Sequence, residues 1–288
     1  MFKNTFKTFT LLAGLAGSFI LVGSLLGGST GIVIGAVFGF GLVGGSYWFS
    51  DRLAVRSARA VQVQPGQLDW LQSDLAELAQ RAGMRTPRLF VSPDEQPNAF
   101  ATGRNERNAV VCVTHGLLAA LDRDEVRGVV AHEVAHVRHR DILIGSIAAA
   151  VATGISMVAN LAMFASMFGG TDDDDAPNPL VVIALAMVAP LAASVMQMAL
   201  SRSREFEADR LGAELAGDPR PLASALAKLE RGAHLVPMDV KPAQATAYIV
   251  NPLTGRDVKF SNLFLTHPPT EARIAALLAD YPALAGRS

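Results

Sequence analysis

Apolar positions along the chain fall into four long blocks separated by polar stretches. From Thr8 to Ser50 there is no charged residue, and Gly27-Gly28-Ser29-Thr30-Gly31 interrupts the run near its middle. Each half is about 20 residues, the length a helix needs to cross roughly 30 Å of hydrocarbon. Lys3 and Lys7 ahead of the first block also suit a signal peptide. A second apolar run follows at once, however, and ends in Tyr47 and Trp48, where aromatic side chains meet a membrane interface. The pattern predicts a transmembrane helical hairpin over residues 1–50. A third block, Ile142 to Phe168, and a fourth, Leu180 to Leu200, are also uncharged. Between them Thr171-Asp172-Asp173-Asp174-Asp175, then Pro177 and Pro179, make an acidic, solvated turn. Residues 142–200 are therefore expected to form a second hydrophobic hairpin, with Pro190 kinking its second arm and Asn160 and Gln197 facing other helices. A hairpin buried inside a soluble domain is the competing reading of this pair.

The polar remainder, 51–141 and 201–288, amounts to about 180 residues, enough for one modest domain of mixed α and β structure. Leu68 to Ala82 carries helical periodicity, with Trp70, Leu71, Leu75 and Leu78 on one stripe. Pro87 to Val91 and Ala109 to Thr114 are β-rich runs, with Asn98-Ala99-Phe100-Ala101-Thr102-Gly103 between them. Asp122-Arg123-Asp124-Glu125 is a capping-box start to a helix reaching about Arg140.

Charge sets the orientation. Lys3, Lys7, Arg52, Arg56, Arg59, Arg138, Arg140, Arg202 and Arg204 fall on one side of a four-helix topology, which places both termini and the polar domain in the cytoplasm. Only 18% of residues are charged, against about 25% in ordinary soluble domains, while 50% are hydrophobic. A net charge of -1 gives no basic excess for nucleic acid. The single cysteine, Cys112, cannot form an intrachain disulfide, in keeping with a reducing compartment.

His132-Glu133-Val134-Ala135-His136 is the sharpest chemical signal. Residues four apart share a helix face, so both imidazoles can point at one tetrahedral Zn²⁺. Glu133 lies about 100° round from His132, close enough to a water in the open fourth position to take its proton. His139 would sit roughly 4.5 Å beyond His136 and cannot easily share the ion. A third ligand is offered by Ser201-Arg202-Ser203-Arg204-Glu205-Phe206-Glu207-Ala208-Asp209. Glu205 and Asp209 share a face: Glu205 is the expected ligand, Asp209 the acceptor for a ligand imidazole, and Glu207 points elsewhere. Because neutral imidazoles are required, zinc content and activity are expected to fall together below about pH 6. His115 and His234 match nothing catalytic.

These motifs, with Arg138-His139-Arg140-Asp141, Asn98-Ala99-Phe100-Ala101-Thr102-Gly103 and Thr266-His267-Pro268-Pro269-Thr270-Glu271-Ala272-Arg273-Ile274, resemble the HtpX-type membrane zinc metalloproteases over nearly the whole chain. Prenyl-protein (CaaX) proteases share the metal motif. The resemblance implies an α+β, mainly helical integral membrane protein whose gluzincin-like zincin domain combines a small antiparallel sheet with active-site helices. It implies an endopeptidase on the cytoplasmic face of a bacterial inner membrane that cleaves misfolded or damaged membrane proteins, with unfolded proteins and the chain itself among candidate substrates. Asn98, Ala99 and Phe100 would then form an edge strand along which an extended peptide can pair. His267, at an apparent helix start, and Arg273 would stabilise the oxyanion. Three other readings stay open: a CaaX-type peptidase, a zinc-stabilised membrane adaptor with no use for Glu133, and a soluble peptidase lacking the first two apolar blocks.

Overall fold

The computed structural model describes residues 2–142, 202–235 and 268–280. Apart from Ile142, the expected hairpin over 142–200 lies outside the described residues, as does His267. Helix α1 spans Phe2–Ser57 but does not run straight. Gly28 has φ +55°, and a Cβ placed on Gly39 would sit 2.9 Å from Phe19 Cβ, although 20 residues of straight helix would separate the two by about 30 Å. The chain therefore turns back at Gly28. Phe19 and Phe38 meet edge to face at 5.4 Å between the two arms, and Gly23, Gly31 and Gly35 let the two backbones touch. Gly28–Gly45 is the one stretch among the described residues long and apolar enough to cross a membrane. Val33, Ile34, Val37 and Phe40 on it are exposed.

After α1 come β1 (Val61–Gln62), α2 (Asp69–Arg81), β2 (Arg88–Ser92), β3 (Ala99–Thr102) and β4 (Val110–Thr114). They are followed by α3 (His115–Ala120), α4 (Arg123–His139), α5 (Arg202–Ala216), α6 (Arg220–Leu235) and α7 (Thr270–Asp280). The four strands form one sheet in the order β1-β2-β4-β3. The expectation of an antiparallel sheet needs correction: β2 and β4 are parallel, whereas β1–β2 and β3–β4 are antiparallel. The reason is local. After β2 the chain passes to the edge as β3, and the turn at Gly103 then returns it as β4 between them, in the direction of β2. Gly103 has φ +128°, and a Cβ there would approach Asn108 O to 2.5 Å, so the tight return needs a glycine.

Both faces of β4 are covered, which explains its unbroken apolar run. Leu89, Ala99, Val111 and Val113 face α4 and α2, packing with Leu71, Leu75, Leu78, Val126, Val129, Val130 and Val134. Phe90, Val110 and Cys112 face the other way, with Val55 and Ala60 at the end of α1 and Phe100 packed on them. Helix α4 starts with the reciprocal cap read from the sequence: Asp122 accepts from the Glu125 N–H at 3.0 Å, and Glu125 accepts from the Asp122 N–H at 3.0 Å. Glu125 also accepts from Ser224 at 2.6 Å and Lys228 at 2.7 Å, tying α6 to that end.

Candidate metal centre

Helix α4 is buried on all sides along its middle, so His132 and Glu133 lie in the protein interior and His136 is largely covered. Helix α5 crosses it at Gly212, where a Cβ would fall 2.9 Å from the backbone of His132. This approach brings Glu205 and Asp209 onto the histidines. Gly212→Ala is expected to force the helices apart, costing about 1–3 kcal/mol as other overpacked cores do. The measurable result is a lower midpoint of chemical unfolding together with weaker metal binding. Unchanged metal affinity would show that the close crossing does not set the site.

His132 Nε2 and His136 Nε2 are 3.1 Å apart. Glu205 Oε1 is 3.5 Å from His136 Nε2, and Oε2 is 3.9 Å from His132 Nε2. Two donors on one tetrahedral ion with bonds of about 2.0–2.1 Å stand about 3.3–3.4 Å apart. The triangle therefore has the size of a metal's coordination edge, and these three residues can hold one ion among them. The outer nitrogens agree. Asp209 Oδ1 lies 2.9 Å from His132 Nδ1, oblique to the ring N–H. Asp141 Oδ2 lies 3.4 Å from His136 Nδ1. Carboxylates beside Nδ1 favour a proton there, so that each ring, once neutral, turns its Nε2 lone pair inward.

The role of Asp141 is not evident from spacing, because a continuous helix would carry it away from His136. Helix α4 instead ends at His139. Arg140 takes a left-handed conformation, φ 63°, and the Asp141 N–H bonds back to His136 O at 3.0 Å. That cap folds Asp141 against the ring five residues before it.

Electrostatics at His136 oppose burial. Burial disfavours its charged form, but Asp141, Glu205 and Glu133 outweigh that and hold its pKa up at about 9 in the metal-free protein. Its proton then contributes stability that is present below about pH 6.5 and lost as pH rises through about 9. A metal must displace the same proton. Metal affinity is thus expected to climb about tenfold per pH unit through neutrality and to level off near 9, beyond the edge near pH 6 expected from an ordinary imidazole. Chelator competition at several pH values measures the slope, and a flat profile from pH 7 to 9 would contradict it.

Arg273, from α7, is 1% exposed. Its Nε and Nη2 donate to Asp209 Oδ2 and Oδ1 at 2.8 and 2.7 Å, and its Nη1 lies 3.7 Å from Glu205 Oε2. The structure places Arg273, expected to stabilise the oxyanion, as a buried fork on the Asp209 carboxylate beside His132. Burial would raise the Asp209 pKa, but Arg273 and His132 pull it down to about 2. Glu207 is exposed, as the helical spacing requires, and so is His115.

Asn98, Ala99 and Phe100 begin the edge of the sheet. Asn98 is buried, with its N–H on Thr114 Oγ1 at 2.9 Å and its carbonyl accepting from the Thr114 N–H at 3.0 Å. Ala99 is buried towards α4, and Phe100 is half-buried on the opposite face. Sequence reasoning also missed the close-approach glycines Gly128 and Gly212. The first seats Leu222 of α6 on α4, with a Cβ there 2.8 Å from the Leu222 nitrogen.

The model of peptidase family M48 matches residues 65–280. A protease HtpX homolog from Persephonella marina is 48% identical over 279 residues, covering 95% of this chain and 96% of that protein. One from Ralstonia pickettii is 47% identical over 289 residues, covering 97% and 99%. The crystal structure of S. mikatae Ste24p matches with a TM-score of 0.55 at 18% identity, over 96% of this chain. The chain spans 66% of that protein, and this likeness is one of fold.

Proposed function

Because the chain belongs to peptidase family M48, as a metallopeptidase of the HtpX type, we propose that it is a zinc-dependent endopeptidase that cuts misfolded or damaged membrane proteins at the cytoplasmic face of a bacterial inner membrane. The observation that carries the metal assignment is the triangle of His132, His136 and Glu205 donors, 3.1 to 3.9 Å on a side. Two imidazoles and one carboxylate are the nitrogen and oxygen donors of a catalytic zinc site. Bound there, zinc would supply the Lewis acidity that polarises a scissile carbonyl and acidifies a water.

The protein's own groups do the rest. Glu133, on the turn that carries His132, takes the proton of the attacking water and passes it to the leaving amine. Asp209 and Asp141 hold the two rings by their Nδ1 atoms, and Arg273 holds Asp209 ionised. Strand β3 offers its outer edge to an extended peptide, with Asn98, Ala99 and Phe100 at its start. His267 would supply a further hydrogen-bond donor to the developing oxyanion. The hairpin that turns at Gly28 is read as a membrane anchor, and residues 142–200 as a second.

The test uses the full chain in detergent, stripped of metal and then given one equivalent of Zn²⁺, with unfolded casein and the chain itself as substrates. Cleavage that appears only after loading supports the reading. Zinc bound with no cleavage of either substrate would favour a zinc-stabilised adaptor instead.

A further inference from the structure

We infer that Asp141 and Arg204 form a clasp across the two halves of the metal centre, with Asp141 positioning His136 and Arg204 positioning Glu205. The inference rests on the reading of His136 and Glu205 as metal ligands. One carboxylate serves both halves: Asp141 Oδ2 lies 3.4 Å from His136 Nδ1, and Oδ1 lies 3.6 Å from Arg204 Nη1. The two side chains are 8% and 13% exposed, so the pair is held largely out of water. Asp141 Oδ1 has no hydrogen-bond partner among the described residues, and the nearby guanidinium is the charge that offsets it.

Position along the helices gives the pair its leverage. Arg204 stands in the first turn of α5, immediately before Glu205. The close crossing at Gly212 lies eight residues further on, about 12 Å along the axis. That crossing fixes the helix where it touches His132, whereas the angle of the first turn depends on contacts nearer its start. A charge pair at Arg204 sets that angle and with it the distance from Glu205 to the imidazoles. On the other side, the left-handed cap at Arg140 fixes Asp141 against His136. In sequence, residues 142–203 run from one end of the clasp to the other.

The test reads metal binding by the full chain in detergent, with Co²⁺ as probe. Affinity comes from chelator competition, and the visible absorption band of the bound ion reports its geometry. Arg204→Gln is expected to weaken Co²⁺ binding by about 10–100-fold, as loss of a group supporting a ligand commonly does, and to alter the band. Arg204→Lys, which keeps the charge, should restore most of the affinity and the native band. Asp141→Asn keeps an acceptor for His136 Nδ1 but removes the charge pair, so it should reproduce the loss, and it carries the test if Arg204→Gln does not fold. The double variant should lose no more than the worse single variant. Native affinity and band in Arg204→Gln, or losses that multiply in the double variant, would overturn the clasp. A wild-type chain that binds no Co²⁺, or binds it equally after His136→Ala, would overturn the ligand assignment and the clasp together. Because no substrate is present, failure of the peptidase reading alone would leave these results intact.

Discussion

Glu133→Gln is expected to retain one metal per chain and to lose about 10²–10⁴-fold in kcat, the usual contribution of a positioned general base. The amide has nearly the shape of the carboxylate and can still fill its buried place on α4, but it cannot take a proton from water. The same change removes a negative charge that helps hold a proton on His136. That easier proton loss offsets part of the lost attraction for a cation, so one metal per chain should still bind, and the loss of turnover is then a statement about chemistry rather than occupancy. Elemental analysis beside casein cleavage separates the two. Turnover within a few-fold of wild type would exclude Glu133 as the base, whereas loss of the metal itself would give it a structural part instead.

Arg273→Met has the largest expected effect on stability. The substitution keeps most of the side-chain volume but leaves the Asp209 carboxylate, 2% exposed, without the fork that holds it. Breaking a buried ion pair from one side costs about 3–5 kcal/mol. The pH dependence identifies the cause. In the wild type the Asp209 pKa is held down at about 2, so its contribution is present above about pH 4 and is lost as pH falls towards 2. Without Arg273, burial acts with less opposition and the carboxyl protonates at higher pH. The stability deficit of the variant should shrink as pH falls through 2, below which the group is protonated in both proteins, and should be widest above pH 4. Urea unfolding at pH 3, 5 and 7 measures it, and adding Asp209→Asn should recover part of the loss. A variant that unfolds like wild type but turns over slowly would instead place Arg273 at the reacting carbonyl.

The helices that carry the candidate metal donors were legible because their signals are local. The capping box at Asp122 and Glu125, the four-residue spacing of His132 and His136, and that of Glu205 and Asp209 each depend on residues within one or two helical turns. The runs around Arg88–Ser92 and Val110–Thr114 were legible as strands for the same reason. Their parallel pairing was not, because it depends on where β3 inserts and on the glycine that turns the chain back. Arg273 stands out in the sequence, but its orientation on Asp209 depends on α7 packing beside α5. Asp141 was hidden by a left-handed residue that is not glycine, which no helical wheel anticipates. Gly128 and Gly212 look like ordinary interruptions of helical propensity until another helix is seen crossing at each.

The tail of α1 bears on how the protein can be shortened. Val55 and Ala60 cover Phe90, Val110 and Cys112, and β1 occupies the edge of β2. A chain begun at residue 65, where the family match begins, would keep His132, His136 and Glu205 yet uncover that apolar face and leave β2 as a bare edge. Such a fragment should precipitate or pair with itself through that edge. The end of α1 and the peptidase domain share one sheet, and soluble production would require redesigning that face of it rather than simply trimming the long apolar helix away.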